Sequence, residues 1–157
     1  MRKLLLAAAW AALSVAAAHA EDHPTLTPGD EAFSAEHYEE AATLYRREAE
    51  LGMVASQVNL AFLYLDGLGV SQSYEDAATW FGRAAEQGNA EAQHNLGLLY
   101  RDGKGVRKDL MEAIKWLSLS SAKNEVAALE KQATTEQLSE ASKRIEVWRA
   151  NHGAATR

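Results

Sequence analysis

The chain has 157 residues, with 16 lysines and arginines against 22 aspartates and glutamates, a net charge of −6 and no cysteine. Without cysteine there is no disulfide brace and no thiol for lipid attachment, so the fold must hold by packing. An acidic chain with no long basic cluster is repelled by phosphate backbones and anionic headgroups, which argues against nucleic acid as a partner.

The first segment in chain order reads as an export signal. Arg2 and Lys3 give a basic start, Leu4 to Ala18 an apolar run, and Ala18-His19-Ala20 a small-x-small cleavage signature. A membrane-spanning helix needs roughly 20 apolar residues. Residues 1–20 are therefore predicted to be a signal peptide, with no stable membrane insertion after cleavage. Removing Arg2 and Lys3 leaves 14 basic and 22 acidic side chains, a net charge of −8. Residues 21–30 read as an N-terminal linker. A short helix is expected from Pro28 to Ala35, with Thr27 as N-cap and Pro28 at the first helical position.

Tyr38, Glu40-Ala41, Tyr45 and Ala49 come next, and they share phase with the main body of the chain, which is a tandem repeat. Residues 52–87 laid over 88–123 match at 12 of 36 positions. The shared motif is Gln57, Asn59-Leu60, Leu63-Tyr64, Asp66-Gly67, Gly69-Val70, Ala77 and Trp80, answered by Gln93, Asn95-Leu96, Leu99-Tyr100, Asp102-Gly103, Gly105-Val106, Ala113 and Trp116. A period of this length marks units that bury their apolar faces only by stacking. Leu60, Leu63 and Tyr64 sit at i, i+3 and i+4, one face of a helix that Asp-Gly-x-Gly then terminates. Ser73 and Asp109 are N-cap residues for a second helix, with Glu112 at capping-box spacing from Asp109. In that helix the alanine before each tryptophan admits a neighbouring helix, and the tryptophans read as core.

After 123 the pattern changes: Asn124 stands where a glycine is expected. Thr134-x-x-Gln137 forms a capping box, followed by Leu138, Ala141, Ile145 and Trp148 at helical spacing. Residues 124–149 are expected to be a capping helix that closes the domain spanning 31–149, and 150–157 a flexible tail. The fold class is all-α: a short right-handed α-solenoid of about three antiparallel helical hairpins with a C-terminal capping helix.

Asn95 to Val106, Asp109 to Trp116 and Gly88-Asn89-Ala90-Glu91-Ala92 together resemble the Sel1-like repeat, a relative of the tetratricopeptide repeat. Ala61 stands where the second copy has Gly97, Ser56 where it has Ala92, and Ser73 where it has Asp109; all three are small or able to cap. The resemblance implies a non-enzymatic adaptor, and exported bacterial members are associated with envelope and host-contact roles. It also implies a concave groove lined by the first helix of each hairpin. By that analogy the partner-binding residues are Val58, Asn59, Phe62 and Leu65 in one copy and His94, Asn95, Leu98 and Arg101 in the next. An asparagine amide both donates and accepts, so Asn59 and Asn95 are suited to hold the backbone of an extended peptide. The alternative is that each asparagine bonds an adjacent hairpin and stabilises the stack. The apolar members form a binding strip, or else pack against the N-terminal hairpin or the cap.

Other chemistries find little support. Ser120-x-x-Lys123 has the spacing of a penicillin-recognising nucleophile but lies late in a helix without its companion motifs. Cysteine-rich members of the repeat family are linked to penicillin binding, and this chain has no cysteine. His23, His37, His94 and His152 are scattered, with no metal-binding spacing. Gly103-Lys104-Gly105 lacks the strand and hydroxyl of a phosphate loop. Glu39-Glu40 and Glu48 with Glu50 read as solvated faces. No cofactor and no metal is expected. The sequence thus points to a monomeric, periplasmic or secreted module with a protein or peptide partner. The competing readings are a cell-envelope hydrolase or peptidoglycan-related factor with an unrecognised site, and a scaffold whose groove is filled by its own segment Glu21 to Asp30.

Overall fold

The computed structural model describes residues 26–153, which form eight α-helices and no strand. Residues 1–25, which include the expected signal peptide, and residues 154–157 lie outside the described residues. The helices are α1 (Pro28–Ser34), α2 (Tyr38–Glu50), α3 (Val54–Asp66), α4 (Tyr74–Glu86), α5 (Ala90–Asp102), α6 (Leu110–Leu119), α7 (Lys123–Glu130) and α8 (Thr135–His152). Each of α1 to α5 packs on the helix that follows it, and both α7 and α8 pack on α6. The result is a solenoid of three hairpins, α1/α2, α3/α4 and α5/α6, closed by a pair of helices.

The repeated residues account for the repeated geometry. Gly67 and Gly103, with φ of 70° and 68°, end α3 and α5, and their N–H groups return to the carbonyls of Leu63 and Leu99. The second glycine of each loop, Gly69 or Gly105, has φ of 67° or 68° and lies directly on the backbone of Tyr38 or Tyr74. Any Cβ there would collide with the first turn of the preceding hairpin's second helix. Gln57 and Gln93, both buried, donate to the carbonyls of Ala49 and Ala85 at 3.1 and 3.2 Å, satisfying the end of the helix before them. The Asp-Gly-x-Gly and glutamine positions are therefore stacking devices. Ala77, Trp80, Ala113 and Trp116 are all buried, as their core reading requires.

The caps form as expected at Thr27 and Thr134, each with a reciprocal box. Asp109 accepts from the amides of Met111 and Glu112, but Glu112 does not complete a box. The Asp109 amide already donates to the Tyr100 carbonyl at 3.1 Å, and the Glu112 carboxylate instead accepts from Arg144 at 2.8 Å.

α1 begins at Pro28 behind its N-cap Thr27, as expected, and α8 runs to His152. Two expectations are corrected. The left-handed turn after the second repeat falls at Ser121, with φ of 68°, three residues before Asn124. As a consequence the cap is two helices: α7 opens as a third copy of the first repeat helix, with Leu129 buried as Leu60 and Leu96 are, and stops early. Finally, Glu48 is not on a solvated face; it is 9% exposed. Its carboxylate accepts from Ser56 Oγ at 2.6 Å and from the Gly29 amide at 3.3 Å, because α1 folds back over that side of α2.

α8 is tied down by side chains. Arg144 reaches Glu112, Glu140 and Asp109 at 2.8, 3.0 and 3.5 Å, and Trp148 Nε1 donates to Glu86 at 2.9 Å. The Trp148 ring meets Trp116 edge-on with centroids 6.3 Å apart. These contacts anchor the cap on α4 and α6, the second helices of their hairpins.

Candidate partner-binding face

The residues assigned to a groove lie on α3 and α5, and the structure treats them unequally. Val58 is 4% exposed and belongs to the core, so it offers no surface to a partner. An aliphatic side chain on α3, which is enclosed by α2 and α4, gains more from burial than from solvent. Phe62 is half-buried, its ring edge-on to Phe81 with centroids 5.1 Å apart. Leu65 packs on the same core cluster, and Leu98 on a second cluster centred on α6. Asn59 Nδ2 donates to Asp30 Oδ1 at 3.2 Å, tying α3 to α1. Asn95 Nδ2 donates to the Glu91 carbonyl within its own helix at 2.9 Å. His94 lies 3.6 Å from Glu125 of α7, and Arg101 grips its neighbour Asp102 at 2.6 and 3.0 Å.

Asn59 and Phe62 converge on a cavity of about 480 Å³ between α1, α2 and α3, shared with Asp30, Phe33, Tyr45 and Asp66. His94, Asn95 and Arg101 are half-exposed along α5 and do not line it. The polar floor is preorganised. Asp30 Oδ1 accepts from Tyr45 Oη at 2.8 Å as well as from Asn59, and Oδ2 accepts from the Thr27 amide at 2.9 Å. Burial opposes ionisation of Asp30, but the Thr27 amide and the Tyr45 hydroxyl outweigh it and hold the carboxyl below its ordinary value. Tyr45 responds oppositely: burial first, then its bond to Asp30, pushes the phenol well above its ordinary value.

Sequence reasoning assigns none of Asp30, Phe33, Tyr45 and Asp66 to a binding site, although Tyr45 shares the phase of the repeat and Asp66 belongs to its motif. Two signals point to Asp30 and Tyr45. Thr27 and Asp30 have the spacing of a capping box, and Tyr45 places a hydroxyl where the next repeat has Phe81, a buried position where a phenol needs a partner. The Ser120 hydroxyl, for its part, is bonded to the Leu117 carbonyl at 2.9 Å. Among the described residues no group of three or more histidines and carboxylates is placed to hold a metal ion, and no helix is long and apolar enough to cross a membrane.

The Sel1 repeat family matches residues 54–89 and 90–125. Among solved structures, a protective antigen present in uropathogenic Escherichia coli strains, described as displaying an SLR fold, is similar at 30% identity and a TM-score of 0.74. That similarity covers 79% of this chain and 29% of the antigen. A Sel1 repeat protein from Oxalobacter formigenes is similar at 41% identity and a TM-score of 0.56, covering 61% of this chain and 40% of that one. The chain thus spans less than half the length of either. No curated protein matches it.

Proposed function

Since this chain is a Sel1-repeat protein, of a family that generally serves as protein–protein interaction modules, we propose that it holds a segment of another protein along the face formed by α1, α3 and α5. The fold is typical of non-enzymatic scaffolds. The observation that carries the reading is the contrast between the two sides of the stack. The second helix α6 is covered by α8 through Trp148 on Trp116 and Arg144 on Glu112, with a single further contact to Glu86 at the end of α4, whereas α5 presents His94, Asn95 and Arg101 half-exposed. Partner contact by Asn59 is indirect in this reading: its amide sets Asp30, while Asn95 keeps the role of a backbone clamp.

The export signal in residues 1–20 extends the proposal to a periplasmic or secreted protein acting as a monomer. N-terminal sequencing of the natural product is expected to begin at Glu21; an intact Met1 would contradict export by cleavage. The binding face is tested with a photo-reactive benzoylphenylalanine at His94 or Arg101, compared with Thr79 or Arg83 on α4. Specific cross-links to one species in the native cell envelope should form from the α5 sites and not from the α4 sites. Equal capture from both faces, or capture from α4 alone, would refute this face as the docking surface.

A further inference from the structure

The cavity between α1, α2 and α3 carries charge that the molecule leaves unmatched. Its floor is the ionised Asp30, held by Tyr45, Asn59 and Thr27; Asp66 stands at its edge, and the rings of Phe33, Tyr45 and Phe62 line it. Among the described residues neither carboxylate takes part in an ion pair, although Asp102, Asp109, Glu112 and Glu140 all do. The repeat makes the difference specific. Asp102 occupies the position of Asp66 one repeat later, and there the preceding residue is Arg101, which grips it at 2.6 Å. In the first repeat the preceding residue is Leu65, so Asp66 has no such neighbour. The second repeat supplies its own cation; the first leaves the place open.

We propose that this cavity takes a lysine or arginine side chain of a bound partner segment, a specificity that rests on the interaction reading above. The chemistry selects this class. Two carboxylates attract a cation, and aromatic walls suit the aliphatic stem of a basic side chain and the face of its charged head. A phosphate or carboxylate ligand would meet like charge at Asp30 and Asp66. A bare metal ion would find only two carboxylates, one of them, Asp30, already accepting from Tyr45, Asn59 and Thr27, and among the described residues no group of three histidines or carboxylates is placed to hold one.

The test uses the full mature chain and blocked tripeptides, acetyl-Ala-Xaa-Ala-amide with Xaa as Lys, Arg, norleucine or Glu, followed by NMR of the Asn59 side-chain amide and the Phe33 and Phe62 rings. The lysine and arginine peptides should shift these signals saturably, and the norleucine and glutamate peptides should not. Asp66 is exposed and makes no side-chain hydrogen bond that the fold depends on, so Asp66→Asn should keep the circular dichroism spectrum and weaken the basic peptides by about fivefold. Norleucine binding as tightly as lysine, affinity unmoved by Asp66→Asn, or no saturable shift at all would each overturn the proposal. Cross-links from α5 beside a silent cavity would sink this inference and leave the interaction module standing. A responsive cavity without capture from α5 would do the reverse.

Discussion

Successive junctions between hairpins fill the same two positions with opposite chemistry. Between α2 and α3 they hold Glu48 and Ser56, bonded at 2.6 Å; between α4 and α5, 36 residues later, they hold Ala84 and Ala92, both fully buried. One position nearby follows suit, with Tyr45 hydrogen-bonded to Asp30 where the later junction places Phe81 against Phe62. What the junctions share is the glutamine to the preceding carbonyl and the loop glycine on the preceding backbone. Stacking is therefore carried by the invariant devices. The variable pair decides what else the junction holds, and at the first junction that is α1, through Glu48 to Gly29 and Asp30 to Tyr45 and Asn59.

The shared devices give the largest effect. Gly69→Ala and Gly105→Ala should each cost about 3 kcal/mol or more in urea unfolding, combining left-handed strain with collision against the backbone of Tyr38 or Tyr74. Gly52→Ala, with φ of 89° but open space around the new methyl, should lose only about 1 kcal/mol. If all three lose the same amount, conformational strain alone explains the glycines and the close approach between hairpins contributes nothing.

The polar pair gives the next effect and tests the contrast directly. Ser56→Ala removes a donor from a buried carboxylate and should destabilise by about 1–3 kcal/mol. Adding Glu48→Ala converts the first junction to the alanine pair of the second. The double variant should lose clearly less than the sum of the two single variants, because the orphaned carboxylate disappears with its partner. Additive losses in that cycle would show that the pair does not act as a unit.

Tyr45→Phe carries the conversion one position further, and its expected cost at neutral pH is about 1 kcal/mol for the hydrogen bond to Asp30. Its sharper signature lies in alkali. Burial and Asp30 raise the folded phenol above its unfolded value of roughly 10, so the neutral form is favoured in the fold. The associated stability is complete below that unfolded value and is lost as pH rises through the higher folded one. Unfolding of the natural chain should therefore steepen with pH above about 10, and Tyr45→Phe should remove that component. An alkaline profile unchanged by Tyr45→Phe would place the phenol in solvent.

These contrasts also show what was legible in the chain. The period, the hairpins and the core tryptophans could be read because they depend on residues that recur: glycines at loop ends, leucines at helical spacing, alanine before tryptophan. What escaped was set by single, unrepeated residues. Glu48 looked solvated because its partners Gly29 and Ser56 lie on other helices, invisible to the periodicity of α2. Val58 is assigned to a groove by analogy with related repeat arrays, but the matching position of the second repeat holds His94, half-exposed and near Glu125, and the two side chains follow their own polarity. The early turn at Ser121 escaped because serine carries no general preference for positive φ, so the loss of three residues from α6 leaves no local mark.

The smallest expected effect has the opposite sign. Gly82 lies inside α4, where an added methyl would meet nothing within 4 Å, and its φ is helical. Alanine there should stabilise the chain by about 0.5–1 kcal/mol, chiefly by restricting the unfolded chain. The site lies in the shallow furrow between α4 and α6 that includes Trp116 and Lys115, away from both junction pairs. Because Gly69 and Gly105 touch a neighbouring backbone and Gly82 touches none, the same substitution should weaken the stack at two places and strengthen it at the third. A loss of stability in Gly82→Ala, measured by urea unfolding, would mean that something packs on that furrow in solution.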